Sequence, residues 1–456
     1  MESYSLILNK QREYFLTGVP KDLSFRVNAL ETLRNAIKKA EQELTSSLRE
    51  DLNKSEFDAY STEIGIVLEE IRFTLKNITK WAKPRKVKTP MTHIGSNSYI
   101  YPEPYGVTLI ISPWNYPFQL AIAPLIGAIA AGNCAVLKPS ELTPKTSEVL
   151  ATLIKKNFPE EYITVIEGGV EASQALLKEK FDYIFFTGSV PVGKVIMEAA
   201  SKHLTPVTLE LGGKSPCIVH EDANIKIAAK RIAWGKFMNA GQTCIAPDYL
   251  YIHKNRKREF LHAFKTAISD LYGSEPLKNA DYTKIVSDRH FKRLLSFMEN
   301  GKIYTGGGSI PDKLKIEPTV LTEVTWSDPV MEDEIFGPIL PVLEYEDLDK
   351  AIEEINNHPK PLALYLFTEN KTLQDKVLSN ISFGGGCIND TVYHISSPYL
   401  PFGGVGNSGT GAYHGKGSFD TFSHEKSVLK QTTFFDIPLR YPNFKNGLKY
   451  IKMVFK

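Results

Sequence analysis

Val107-Thr108-Leu109-Ile110-Ile111, then Pro117 to Ala131, then Cys134-Ala135-Val136-Leu137 closing on Lys138-Pro139: this stretch decides the fold. The first part is a run of β-branched and aliphatic residues, the pattern of a strand buried on both faces. The second has the length and composition of a buried helix, and the third is again a strand. The alternation continues downstream. Thr143 to Lys156 reads as a helix, Ile163-Thr164-Val165-Ile166 and Tyr183-Ile184-Phe185-Phe186 as strands, and a glycine turn then opens a helix to about Lys202. Strands alternating with helices imply a mostly parallel sheet, covered on both faces. A further series runs from near Val207 to about Asp390. Leu120 to Leu137 resembles a membrane span in hydropathy alone. Pro124, Gly127, Gly132 and Asn133 interrupt it, so it reads as buried helix, turn and buried strand.

Upstream, Leu30, Leu33, Ile37, Ala40, Leu44 and Leu48 recur at steps of three and four, with Lys38, Lys39, Glu41 and Glu43 on the other face. A second helix is expected from about Glu56 to Trp81, ending before Pro84. Lys83 to Met91 reads as a basic linker. Met1-Glu2-Ser3 leads into Lys10, Gln11 and Arg12 with only a short apolar run, unlike a secretory signal. From Ser397 the chain is rich in Gly, Tyr and Phe and reads as irregular structure with short strands. Its last segment, Asn446 to Lys456, is broken by Lys449, Lys452 and Lys456, far short of the roughly 20 apolar residues that cross a bilayer. A surface tail is expected, with no stable membrane anchor.

The 456 residues suggest two to four domains at about 100–200 residues each. Hydrophobic residues make up 42% and charged residues 23%, which excludes global disorder. Lys and Arg number 54 against 52 Asp and Glu, a net charge of +2. That balance is not built to neutralise a phosphate backbone, so a small ligand is expected and no nucleic acid. Cys134, Cys217, Cys244 and Cys387 form no CxxC pair, and only Cys217 has a close histidine, His220. Neither a disulfide framework nor a metal site is expected, and the pattern suits a reducing, cytoplasmic compartment.

Four places could carry chemistry. In Asn239-Ala240-Gly241-Gln242-Thr243-Cys244-Ile245 a cysteine follows a polar, glycine-containing turn at the end of an amphipathic helix, Ile232 to Met238. A thiolate nucleophile needs such reach and partial exposure, whereas a buried, inert cysteine is the alternative. Cys134 and Cys217, inside apolar runs, fit that alternative, and Cys387 is ambiguous. In Val207-Thr208-Leu209-Glu210-Leu211-Gly212-Gly213-Lys214-Ser215-Pro216 one carboxylate stands in an apolar strand. Burial would raise its pKa toward that of a general base; an outward-facing glutamate at a sheet edge is the alternative. Thr187-Gly188-Ser189-Val190-Pro191-Val192-Gly193-Lys194 follows a strand and opens a helix, the context of a dinucleotide loop. Its Gly-x-x-x-x-Gly spacing is neither the usual G-x-G-x-x-G nor a P-loop, and an ordinary glycine turn reads equally well. Lys138-Pro139-Ser140-Glu141 ends a strand where open α/β sheets bind ligands, and on its own is also a solvated turn.

Together these pieces resemble the aldehyde dehydrogenase superfamily, most closely its class 3 (the fatty and aromatic aldehyde dehydrogenases). The resemblance spans essentially the whole chain. It rests on Pro113-Trp114-Asn115-Tyr116-Pro117, Lys138-Pro139-Ser140-Glu141, Thr187-Gly188-Ser189 with Gly193, and Leu209 to Pro216. It continues through Gly241-Gln242-Thr243-Cys244, Glu334-Ile335-Phe336-Gly337-Pro338 and Pro401 to Gly409, in family order. It implies two doubly wound, Rossmann-like α/β domains and a small β element for oligomerisation. Residues 1–82 and 103–211 would form the NAD(P)-binding domain and 212–396 the catalytic domain. Residues 83–102 and 397–456 would form the bridging element and tail.

The resemblance also implies roles. Cys244 matches the nucleophile, Glu210 the general base and Asn115 the amide that holds the oxyanion. Trp114, Lys138, Glu141, Gly188, Ser189, Gly193, Glu334 and Phe336 match cofactor-binding positions for NAD, with NADP also accepted. Tyr116, Trp234, Met238, His394 and Ile395 match the lining of an aldehyde channel whose apolar character favours medium-chain or aromatic substrates. A homodimer is implied. Two other readings keep the fold: a coenzyme A-acylating relative, in which a thiol replaces water, and a catalytically silent binding protein. The presence of Glu210 speaks against the first, and the full set of Cys244, Glu210 and Asn115 against the second.

Overall fold

The computed structural model describes residues 4–455; Met1-Glu2-Ser3 and Lys456, read above as the chain's opening and the last lysine of its tail, lie outside the described residues. Two large sheets dominate. The first runs in the order Gly409–Thr410, Val207–Glu210, Tyr183–Thr187, Val107–Ile111, Cys134–Lys138, Ile163–Val165. All its pairings are parallel except that of the short edge strand Gly409–Thr410. Val107–Ile111, Cys134–Lys138 and Tyr183–Thr187 are buried throughout, as continuous apolar runs in a doubly covered parallel sheet must be. The helix Gln119–Ala131 is buried at every residue and tolerates Pro124 within it.

The second sheet has the order Lys302–Thr305, Thr319–Thr322, Ile339–Tyr345, Tyr249–His253, Pro216–Val219, Ala363–Phe367, Gly385–Ile388. It is parallel except at Lys302–Thr305. A third sheet joins Arg85–Val87, Ser96–Pro104 and Ser423–Gln431, all antiparallel. The α/β architecture expected from the alternation is therefore present.

Three local expectations differ. Lys83 to Met91 is not only a linker, because Arg85–Val87 pairs with Ser98–Ile100. The apolar recurrence from Leu30 to Leu48 belongs to two helices, Leu23–Lys39 and Glu41–Leu52, broken at Ala40. The tail contains a nine-residue strand and the helix Gly447–Val454. Its strand Ser423–Gln431 is largely solvent-facing, so it lacks the apolar alternation that would have revealed it. Among the described residues no helix is long and apolar enough to cross a membrane.

Candidate active site

The topology places the site. From Val107–Ile111 the chain adds Cys134–Lys138 and Ile163–Val165 on one side, then returns to lay Tyr183–Thr187 on the other. Such a reversal opens a crevice at the carboxyl ends of the two diverging strands. The segment Ser112 to Tyr116 leaves the first of these strands and Gly188-Ser189 leaves the second. Glu210 ends the next strand, and the Gly188 N–H donates to its carbonyl at 3.0 Å.

Cys244 arrives from the second sheet's side. The helix Ile225–Phe237 stops, and Asn239, Ala240 and Gly241 take left-handed conformations with φ of 54°, 52° and 72°. For the two non-glycine residues this costs roughly 1–2 kcal/mol each. Side chains hold the strained turn. Gln242 donates to the carbonyls of Asn239 and Lys284, both at 3.0 Å, and accepts from the Val286 N–H at 3.0 Å. Asn239 donates to the Asn115 carbonyl at 2.9 Å, and Asn115 returns its amide to the Gln242 carbonyl at 3.1 Å. Tyr116 and Thr243 share a hydroxyl hydrogen bond of 2.7 Å. Asn115 and Tyr116 are thus tied to the turn that presents Cys244.

The Cys244 thiol is half-buried. Desolvation pushes its pKa up, and the charges of Glu334 and Glu210 push it further. Both carboxylates are thus near enough to act on the thiol electrostatically. Glu210 is buried, not outward-facing, and neither carboxylate oxygen has a hydrogen-bond partner among the described residues. Desolvation raises its pKa well above the usual carboxylate range. Glu334 is also raised, by burial and then by Asp248, against the pull of the Gly213 N–H, Lys214 and Arg293.

The glutamate-bearing turn is anchored from beneath. Lys214 pairs with Asp248 at 2.6 Å, and Asp248 accepts from the Ile335 N–H at 2.9 Å. Arg293 donates to the carbonyls of Glu334 and Ile335. Phe336 has a φ of 52° and meets Trp114 edge-on at 5.3 Å; Trp114 also lies 5.3 Å from His290.

The residues expected at the nucleotide have surroundings that suit a dinucleotide. Lys138 is only 2% exposed, with its ammonium on the Pro139 carbonyl at 2.6 Å and 3.8 Å from Glu141. A buried ammonium with donors to spare beside a carboxylate fits the hydroxyls of a ribose. Ser189 caps the helix Val190–Ser201 through its backbone only, which leaves the first-turn N–H groups toward the crevice. Gly193 packs where a β-carbon would meet the end of the Leu211 side chain at 2.7 Å, so the helix sits directly on that side chain. Val192, Val195 and Met197 on the same helix are exposed apolar residues.

The expected channel residues cluster less tightly. Trp234 lies 6.1 Å from Tyr393, which immediately precedes His394. His394 rests its Nδ1 3.5 Å from the Cys387 sulfur, and its pKa is pushed down to about 4 by desolvation. Trp234, Met238 and Ile395 pack at the edge of the main core, as Cys244 does.

A sequence profile described as the aldehyde dehydrogenase family matches residues 20–428. The chain belongs to the aldehyde dehydrogenase family. Its reaction is the NAD(P)-dependent oxidation of aldehydes to carboxylic acids. This aldehyde dehydrogenase is 50% identical to the 4,4'-diaponeurosporen-aldehyde dehydrogenase of Staphylococcus aureus, over 98% of the chain and 97% of that protein. It is 46% identical to a mouse (Mus musculus) protein named aldehyde dehydrogenase, dimeric NADP-preferring, over 94% of the chain and 95% of the relative. The structure titled "Substrate bound state of Staphylococcus Aureus AldH" superposes with a TM-score of 0.98 at 49% identity, each chain covered over 100%.

Several residues of this aldehyde dehydrogenase site were not assigned from sequence. Asn239, Gln242 and Thr243 lie inside the quoted nucleophile motif, so their polarity in an apolar context was the available signal. Lys214 lies in the quoted glycine motif. Arg293 and His290 stand in ordinary polar sequence and Asp248 is a lone carboxylate before an apolar strand; only the fold brings them to Glu334 and Trp114.

Proposed function

We propose that Cys244 is the nucleophile, Asn115 and the Cys244 N–H the oxyanion donors, and Glu210 the base that activates water. One observation carries the reading: the half-buried Cys244 stands on a strained turn clamped by paired hydrogen bonds to Asn115, with the buried, unpartnered carboxylate of Glu210 near enough to act on its charge. The Cys244 thiol gives up its proton to solvent, and the thiolate sulfur bonds to the aldehyde carbon, whose oxygen becomes the oxyanion. One N–H of the Asn115 amide is given to Gln242, and its second N–H serves the oxyanion. When bound, the nicotinamide supplies the acceptor for the hydride that leaves this carbon. The carbon is then a thioester on Cys244. Glu210, unprotonated, takes a proton from water; the hydroxide oxygen bonds to the acyl carbon, and the carbon–sulfur bond breaks to release the acid and the thiolate. The raised pKa makes Glu210 a stronger base than an exposed glutamate.

Lys138 and Glu141 would hold the adenosine ribose, the Gly188–Gly193 turn the pyrophosphate, and Glu334 the nicotinamide ribose, with Phe336 and Trp114 beside it. Residues 1–82 and 103–211 would bind the nucleotide, 212–396 carry the nucleophile, and 83–102 with 397–456 bridge subunits of a homodimer; the mouse relative is named dimeric. NAD would be used and NADP accepted. Tyr116, Trp234, Met238, His394 and Ile395 would line a channel for uncharged aldehydes, medium-chain or aromatic, in the cytoplasm. A staphylococcal relative named for 4,4'-diaponeurosporen-aldehyde supports an apolar substrate.

The test is growth of reduced-nicotinamide absorbance across an aldehyde panel, with NAD and NADP, with and without coenzyme A, for the native protein and Cys244→Ala. Turnover without coenzyme A is expected, and Cys244→Ala should retain less than about 1% of it, since losing an essential nucleophile costs far more than a hundredfold. Dependence on coenzyme A, or a working Cys244→Ala, contradicts the proposal.

A further inference from the structure

We infer that Lys54 is a positioning residue for the reaction: its ammonium, paired with Glu63, seats the ring of Tyr116 and through it the Thr243-Cys244 turn. The inference rests on Cys244 as nucleophile. Lys54 follows the helix Glu41–Leu52 and is 1% exposed; Glu63 is wholly buried, and the two form an ion pair. The ammonium also lies 4.0 Å from the centroid of the Tyr116 ring. Tyr116 in turn shares the 2.7 Å hydrogen bond with Thr243.

Glu63 works at both of its oxygens. One faces Lys54, and the other accepts from the N–H groups of Phe118 at 2.9 Å and Gln119 at 3.0 Å. Those are the first donors of the helix Gln119–Ala131, whose N-terminus has no capping side chain of its own. Glu63 reaches them from a π-helical turn, Tyr60–Ile64, a local widening that recurs at functional sites. The segment 115–119 is therefore held on two sides. Asn115 and Tyr116 are tied to the nucleophile turn, and Tyr116, Phe118 and Gln119 to the Lys54–Glu63 pair. Burying an ion pair is seldom favourable for stability alone. Here its geometry sets the distance between the oxyanion amide and the thiol.

Removing Lys54 alone would strand a buried carboxylate, so the working variant is Lys54→Met with Glu63→Gln. The glutamine can still accept from Phe118 and Gln119. Because a misplacement of about 1 Å can cost a hundredfold, kcat/KM for a simple aldehyde should fall at least about tenfold. The Kd for NAD should hold within about twofold, because the proposed polar contacts to the nucleotide lie on Lys138, Glu141, the Gly188–Gly193 turn and Glu334 and not on residues 115–119. In a Tyr116→Leu background the same pair of changes should have no further effect beyond about twofold, because the path runs through the ring.

A second measurement leaves the ion pair intact. Tyrosine and its progressively ring-fluorinated analogues at position 116 weaken the ring face toward a cation while keeping the hydroxyl that meets Thr243. Across that series kcat/KM should fall stepwise, by about tenfold at full fluorination. A flat series, an unchanged kcat/KM in the neutral pair, equal losses with and without Tyr116, or an NAD Kd that moves with kcat/KM each overturns the inference. All of these proteins keep Cys244. A failure of the nucleophile assignment shows separately, as turnover by Cys244→Ala.

Discussion

The carboxylate of Glu334 lies so close over Gly212 that a β-carbon on the glycine would meet Oε2 at 2.0 Å and the carboxyl carbon at 2.6 Å. The glycine is thus a seat for the carboxylate, and the Gly213 N–H beside it lowers the Glu334 pKa against its burial. Gly212→Ala must push Glu334 out of place. We expect a folded protein whose Kd for NADH, read by fluorescence titration, rises about tenfold, the cost of one lost charge-assisted contact. An unchanged Kd would mean that Glu334 does not hold the cofactor.

Gly241 is constrained more severely. Its φ is 72°, and a β-carbon would stand 2.2 Å from the Gly337 carbonyl oxygen. The neighbouring Ala240 already bears left-handed strain. Gly241→Ala should destabilise by about 1–3 kcal/mol from backbone strain alone. Displacement of the Cys244 turn should also lower kcat about a hundredfold. Urea denaturation and steady-state rates on the purified variant check both.

How much of this was legible in the sequence depends on the kind of residue. Buried strands announced themselves, because Val107–Ile111 and Cys134–Lys138 lie in a parallel sheet whose two covered faces demand unbroken apolar runs. Arg85–Val87 and Ser423–Gln431 did not, because their mostly solvent-facing side chains carry no hydrophobic period. Glu210 was visible as a lone carboxylate in an apolar strand, though its inward direction was not. The partnership of Asp248, Lys214 and Arg293 under Glu334 joins residues from distant parts of the chain. No local pattern encodes it. Lys54 and Glu63 are nine positions apart and look like ordinary surface charges until a π-helical turn brings them together.

Glu141 stands 3.8 Å from the Lys138 ammonium at the proposed ribose site. Its negative charge should oppose a 2′-phosphate. Glu141→Gln is expected to lower KM for NADP about tenfold relative to NAD, the size of one partly screened charge contact. Parallel steady-state titrations of both cofactors check this; an unchanged ratio would place Glu141 away from the ribose.

His414 is buried, and desolvation, with a smaller contribution from His394, holds its pKa down at about 4. Unfolded, a histidine titrates near 6.5, so between about pH 6.5 and 4 the unfolded chain binds the extra proton. Stability is therefore full above that window and declines through it as pH falls, by about 1.4 kcal/mol per pH unit for this residue. His414→Asn, which tolerates the left-handed φ of 78°, should flatten the slope by that amount in urea melts at pH 7.5 and 5. The same slope in both proteins would mean that His414 ionises normally.

The assignment of Cys244 as nucleophile and Glu210 as water-activating base meets its most direct test in one intact-mass experiment. Glu210→Gln is mixed with NAD and an aldehyde, quenched in acid within the first turnover, and weighed before and after peptide mapping. Hydride transfer should proceed and deacylation stall, so the account predicts a near-stoichiometric gain of one acyl group, localised to the peptide that contains Cys244. An unmodified protein that has nonetheless released carboxylic acid, or an acyl group on any other residue, would contradict it.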